Sequence, residues 1–220
     1  MFAPKLAILP EPQLKLWSEL AQTPSMFTLY GGTAIALRLG HRSSVDFDFF
    51  AWDTFVPAEL VATIPYLAGA TSRRSAANTL TVTVERDGPV QMSFFGGLQL
   101  GQASTSEPVE GPGFAVASLL DLAGTKAAVV TQRAEVKDYL DIHALLTQAR
   151  IPLPEILSAA AIIYGDEFSP LIALKAISYH DDPALADLPA SMRTDLIAAV
   201  RSVDLEHLPA IEAVKLRSKR

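Results

Sequence analysis

The residues best equipped for chemistry are two acids set two apart, Asp46 and Asp48, in the run Val45-Asp46-Phe47-Asp48-Phe49-Phe50. The run is β-prone, and side chains alternate along a strand. Both carboxylates are therefore expected on one face, with Val45, Phe47 and Phe49 buried on the other. Two neighbouring carboxylates repel unless a cation or a proton lies between them. Hard oxygen ligands of this kind suit Mg²⁺ or Mn²⁺, which makes Asp46 and Asp48 the candidate metal ligands. Upstream, Gly31-Gly32 falls between a β-prone run, Met26 to Tyr30, and a helical run, Thr33 to Leu39. Backbone N–H groups at such a helix start can approach a phosphate with no Cβ in the way, and Thr33 adds a hydroxyl. A phosphate cradle beside a carboxylate pair matches the needs of nucleotidyl transfer. One part holds a triphosphate, and the other neutralises charge developing on the α-phosphate. A Gly-Gly pair alone is commonly just a turn, and D-x-D alone is commonly solvated surface. The order strand, Gly-Gly, helix, strand with D-x-D, and the apolar frame around both acids, favour the chemical reading.

Other elements must hold these residues in place. Glu11 to Gln22 has the spacing of a short amphipathic helix, and Gly40 is placed to end the Thr33–Leu39 helix in a left-handed conformation. Pro57 to Ile64 reads as a helix with proline in its first turn. Thr79 to Arg86 and Val90 to Phe95 read as strands joined at Asp87-Gly88, a hairpin turn signal. The stretch from Gly96 to Gly113 is rich in Gly, Ser, Pro and Glu and is the candidate boundary. Beyond it the signal is helical: Ala115 to Thr131, Ala134 to Ala149, Pro154 to Tyr164, Pro170 to Ser178 and Pro189 to Val203. The expected class is α+β: a mixed β-sheet core flanked by helices over residues 1–105, then a helical lobe over 106–220 that completes the active-site cleft.

Bulk properties narrow the setting. With half its residues hydrophobic and 19% charged, the chain is of globular rather than disordered composition. Its apolar runs are too short and interrupted for a membrane span. Met1 to Lys5 does not begin a secretory signal, and a cysteine count of zero excludes disulfides, thiolate metal sites and a cysteine nucleophile, so a cytoplasmic protein is expected. A net charge of −6 argues against broad, nonspecific binding to nucleic acid. Arg73-Arg74 and the basic tail from Lys215 to Arg220 read as solvated charge or as local steering for RNA. His41, His143, His180 and His207 show no metal-ligand spacing.

The stretch Tyr30-Gly31-Gly32-Thr33-Ala34-Ile35-Ala36-Leu37-Arg38-Leu39-Gly40-His41-Arg42-Ser43-Ser44-Val45-Asp46-Phe47-Asp48-Phe49-Phe50 resembles the first motif of the DNA-polymerase-β-like nucleotidyltransferases. It is similar to the AbiEii/AbiGii toxin branch in particular. A second stretch, Asp121-Leu122-Ala123-Gly124-Thr125-Lys126, then Arg133 and Lys137-Asp138-Tyr139-Leu140-Asp141, is similar to that branch's helix lysine and K-D-x-x-D helix. The resemblance implies transfer of NMP from an NTP to an acceptor hydroxyl, with a tRNA 3′ end as the acceptor and a cognate antitoxin protein as partner. It implies that Asp46 and Asp48 hold Mg²⁺ or Mn²⁺, and that Gly31, Gly32 and Thr33 cradle phosphate, with Arg42 and Ser44 as further nucleotide contacts. Lys126 would neutralise the triphosphate, and Asp138 or Asp141 would act as general base or acceptor-positioning acid.

Read on its own, Lys126 has few partners near it in sequence, whereas Lys137, Asp138 and Asp141 share one helix side, the spacing of a surface ion-pair ladder. Asp121 and Arg133 fit supporting roles and plain helix salt bridges equally. The chain departs from the superfamily pattern on the Val90–Phe95 strand, which offers Gln91 or Ser93 where a third metal carboxylate is usual. One divalent ion brought in with the NTP is the expectation that follows. Two other readings remain open: a catalytically weakened nucleotide- or partner-binding module of the same fold, and a nucleotidyltransferase acting on a cationic, aminoglycoside-like small molecule.

Overall fold

Strands Thr28–Tyr30 (β1) and Phe47–Phe50 (β2) are joined by helix Gly31–Leu39 (α2), which follows the N-terminal helix Glu11–Trp17 (α1). They occupy the middle of a seven-stranded mixed sheet. Its other members are Thr71–Ala76 (β3), Thr79–Glu85 (β4), Pro89–Phe95 (β5), Glu107–Pro108 (β6) and Ala115–Val116 (β7), in the order β3-β4-β5-β2-β1-β7-β6. β2 runs antiparallel to β1 and parallel to β5, and β7 lies parallel to β1. Helix Pro57–Thr63 (α3) lies between β2 and β3 in the chain.

Alternation along β2 explains why the sheet has one apolar and one polar face. Phe47 and Phe49 are fully buried, and Phe49 stacks on Phe94 of β5 at 5.4 Å while Phe27 meets Phe94 edge-on at 5.2 Å. On the opposite face Asp48 is level with Ser93, and Ser93 is level with Thr81 of β4. The computed structural model describes residues 1–217; the last three residues of the expected basic tail lie outside the described residues. No helix among the described residues is long and apolar enough to cross a membrane.

The described residues form two units: residues 1–99 with 106–117, and residues 100–105 with 118–217. This differs from one cut at 105/106, because the turn-rich stretch is divided between them. In the first unit β6 pairs with β7, Phe2 bridges to Val109, and Arg38 of α2 lies 4.0 Å over the Phe2 ring while pairing with Glu107 at 2.8 Å. In the second unit the Asp121 carboxylate accepts from the N–H groups of Ala103 at 2.7 Å and Ser104 at 3.1 Å.

The second unit is helical: Leu119–Val129 (α4), Val136–Thr147 (α5), Leu153–Tyr164 (α6), Pro170–Ser178 (α7) and Ala190–Arg201 (α8). The helix expected from Ala115 is shorter. Ala115 and Val116 are drawn into the sheet as β7, and Ser118 caps α4 by accepting from Asp121 N–H at 3.0 Å. Two further expectations are corrected. The Gly31-Gly32 pair is not a turn before the helix but its first two residues. β2 starts at Phe47, so Val45 escapes the sheet and is 48% exposed rather than buried. Arg73-Arg74, read as solvated charge, is exposed and belongs to an edge strand whose polar sequence hid its pairing with β4.

Helices α4 and α6 approach closely at Gly124, where a Cβ would lie 2.8 Å from Ala160 N and 2.9 Å from the Ala159 carbonyl carbon. Alanine would gain about 1 kcal/mol in helix propensity. Overpacking against backbone that cannot rotate away costs about 1–3 kcal/mol. Gly124→Ala is therefore expected to lower stability and Gly124→Val to lower it further, as read by urea denaturation. A Gly124→Ala protein more stable than wild type would contradict this packing.

Candidate active site

Asp48 is positioned by two strands and one missing side chain. It lies opposite Tyr30 in the β1–β2 ladder and beside Ser93 in the β2–β5 ladder. Its Oδ2 comes within 2.8 Å of where a Cβ on Gly31 would be, and Gly31 has a φ of +76°. Two independent reasons thus require glycine: the left-handed backbone and the carboxylate pressed against it. The arrangement brings an acid to the first residue of a nine-residue helix, whose unpaired N–H groups carry partial positive charge.

Asp46 is held through its backbone. Thr33 Oγ1 donates to the Asp46 carbonyl and is 2.7 Å from Ser44 Oγ, with both hydroxyls buried. Because Thr33 spends its proton on Asp46, Ser44 supplies the proton between the two hydroxyls. Ser44 N–H also donates to the Ile8 carbonyl at 3.2 Å, and Gln13 Nε2 donates to the Val45 carbonyl at 2.9 Å. Thr33 and Ser44, expected as nucleotide contacts, here clamp the segment that presents Asp46. Arg42 Nη1 donates to the Ser43 carbonyl at 2.9 Å in the same loop. Gln13 went unnoticed in the sequence; its signal was a glutamine on the buried side of α1.

Asp46 also lines a cavity of about 280 Å³ with Gln13, Val45, Arg73, Thr83, Pro89 and Gln91. Register places Ser93 beside Asp48, so this part of β5 carries a hydroxyl and no acid. Among the described residues no group of three or more His, Cys, Asp or Glu gathers into a metal-binding cluster. Two carboxylates on one polar face still suit a hard divalent ion that retains water and takes phosphate oxygens from a nucleotide.

The residues expected from the second motif meet in the second unit. Lys126, only 6% exposed, places Nζ 2.8 Å from Asp138 Oδ1 and 2.8 Å from Asp141 Oδ2. Arg133 Nε donates to Asp138 Oδ2 at 2.9 Å. A lysine with few sequence neighbours thus has two partners in space, because α4 and α5 pack together. The surface-ladder reading is also corrected: both acids are buried, and Lys137 pairs at 2.9 Å with Glu135 instead. Burial raises the Asp138 pKa, but the Arg133 hydrogen bond and the Lys126 charge and hydrogen bond outweigh it, leaving the carboxyl below its ordinary range. Asp121 behaves oppositely. Burial dominates the bonds from Ser118, Ala103 and Ser104 and holds its carboxyl above the ordinary value. It serves as an internal brace.

Removing one member of a buried ion cluster strands the others and costs about 3–5 kcal/mol. Lys126→Met is expected to lose stability on that scale by urea denaturation, and adding Asp138→Asn and Asp141→Asn should recover part of it. No loss in the single variant would mean that the lysine is not held as described. The pH dependence has a definite sign. A depressed folded-state pKa gives stability that is present above the unfolded value, about 3.9 for Asp, and lost as pH falls through the folded value. The stability gap between wild type and Asp138→Asn should therefore be widest near neutrality and narrow below about pH 4. A gap that widens on acidification would reverse the assignment.

Known proteins share this chain's sequence pattern and fold. A model of the AbiEii nucleotidyl transferase toxin of type IV toxin–antitoxin systems matches residues 16–215. An uncharacterised protein of Aquifex aeolicus is 30% identical over 159 residues, 71% of this chain and 74% of its own length. Two solved structures share the fold. A crystal structure of an H. pylori protein described as a nucleotidyltransferase gives a TM-score of 0.54 at 15% identity, over 86% of this chain and 92% of that one. MenT4, a nucleotidyltransferase toxin of Mycobacterium tuberculosis, gives 0.56 at 19% identity, over 88% and 83%. The family model spans both the Gly31–Asp48 site and the Lys126–Asp141 cluster, and the chain belongs to the AbiEii nucleotidyltransferase toxin family.

Proposed function

We propose that the protein transfers an NMP group from an NTP to the 3′-terminal hydroxyl of an RNA, a tRNA in the family-based reading, in the cytoplasm and under control of a cognate antitoxin. The observation that carries this is the Asp48 carboxylate seated against Gly31 at the start of α2. The site puts an acid and a phosphate-attracting helix end within one side chain's reach, as transfer at an α-phosphate requires. The triphosphate lies along the Gly31-Gly32 end of α2. The acceptor oxygen bonds to the α-phosphorus, the bond from that phosphorus to the β-bridging oxygen breaks, pyrophosphate leaves, and the hydroxyl proton passes to a base or to water. Asp46 and Asp48 would hold one Mg²⁺ or Mn²⁺, which when bound neutralises charge on the phosphates.

The other residues act by constraint. Thr33, Ser44 and Gln13 fix the backbone at residues 44–46 before any ligand arrives. In the second unit Lys126, Asp138 and Asp141 act as one ion-paired group, in which each fixes the rotamer of its neighbours.

Asp46→Asn and Asp48→Asn are each expected to cut transfer from α-labelled NTP to total RNA by about 10²-fold or more, the scale of removing a group that stabilises developing charge. Each should leave thermal stability equal to or above wild type, because like-charge repulsion is relieved. Full activity in a folded Asp48→Asn protein would sink the assignment.

A further inference from the structure

The cavity beside Asp46 belongs to a different side of the site from the α2 terminus. The sheet order sets Gly31 on the β1 side of β2, whereas Gln91, Thr83 and Arg73 come from β5, β4 and β3, on the other side. Gln91 pairs with Thr83, two positions before the Ser93–Thr81 pair, so these side chains share the polar face that Asp48 occupies.

Arg73 reaches this face through an irregularity. Ser72 pairs with Val82 and Arg74 with the adjacent Thr81, so Arg73 is the extra residue of a β-bulge. Bulges re-aim a side chain out of regular alternation. Here the guanidinium donates from Nε to Thr83 Oγ1 at 3.0 Å and lines the cavity with Asp46. That bond uses one of five guanidinium N–H donors, and the fork geometry of the rest suits a phosphate. Gln13, 3% exposed and with Nε2 turned to Val45, lines the same cavity with no donor for its Oε1 among the described residues.

From these positions we infer that the cavity is the acceptor subsite, and that Arg73 binds a phosphate of an anionic acceptor whose hydroxyl lies at Asp46. The inference rests on the nucleotidyl-transfer reading and deepens it. An NTP on the Gly31 side and an acceptor on the Arg73 side put the two reactants on opposite flanks of the carboxylates, the arrangement that in-line displacement needs. It also selects the acceptor class. Arg73 in the cavity and Arg74 next to it disfavour a cationic small molecule and favour a phosphodiester chain.

The test uses the full chain and two separate binding measurements. A 5′-fluorescein-labelled, eight-nucleotide single-stranded RNA with a free 3′-hydroxyl reports acceptor binding by anisotropy across a salt series, and equilibrium dialysis with labelled NTP and Mg²⁺ reports donor binding. Arg73→Met should weaken RNA binding about tenfold, the scale of one charged hydrogen bond, and lower the salt slope by about one. NTP binding and thermal stability should not change, and Arg73→Lys should restore part of the RNA affinity. Unchanged RNA affinity in Arg73→Met overturns the subsite, as does a wild-type protein that binds Mg·NTP but not the RNA. Loss of NTP binding in Arg73→Met would instead place the donor in this cavity and overturn the assignment. A wild type that binds the RNA through Arg73 but no NTP would refute the transfer reading instead.

Discussion

The structure of the first unit turns on one constraint: two carboxylates separated by a single residue must be held on the same face. Their repulsion would splay a loosely held segment. The fold answers by fixing the backbone on every side of them. β1 and β5 bracket Asp48, the missing Cβ of Gly31 leaves it room, and Thr33, Ser44 and Gln13 tie down residues 44–46. The fully buried Phe47, Phe49 and Phe94 on the opposite face keep β2 from slipping, because a one-residue shift would exchange acids for aromatics. The backbone that carries the two acids is thus held by hydrophobic burial and hydrogen bonds, which do not depend on a ligand.

The second unit solves the opposite problem. Lys126, Asp138 and Asp141 are buried together, with Arg133 at the margin, so opposite charges satisfy each other within hydrogen-bond distance. Burying such a cluster brings little net stability, but leaving any member alone is costly. A group of this kind specifies which helices meet more than how tightly they hold. Asp121 shows the limit of charge pairing. Its carboxylate is held by two backbone N–H groups and the Ser118 hydroxyl, and burial keeps its proton affinity above the ordinary value.

Polar residues that look alike in sequence divide into different tasks once strand order is known. Thr33 and Ser44 work as clamps, Arg38 staples the N-terminus through Phe2 and Glu107, and Arg73 lines the cavity from the extra position of the β3 bulge. The sheet order also gives the acid pair two distinct flanks, one facing a helix terminus and one facing an arginine-lined cavity.

The sequence by itself determined the parts governed by local chemistry. The helix–strand pattern, the β4–β5 hairpin at Asp87-Gly88, the left-handed Gly40 and the placement of Asp48 on a polar face follow from periodicity and turn preference. The two motifs also carried the family, because their residue types and spacings are local. Tertiary structure decided everything that depends on which elements become neighbours. Val45 left the sheet, Ala115-Val116 joined it through pairing with β1, and β3 formed despite a sequence with no apolar alternation, since an edge strand needs only one partner. Lys126 showed no partner in its own helix because its two acids lie a helix away, and no spacing rule reaches across that gap. Long-range packing sets the surroundings of a charge, and those surroundings, more than residue type, decide what the charge can do.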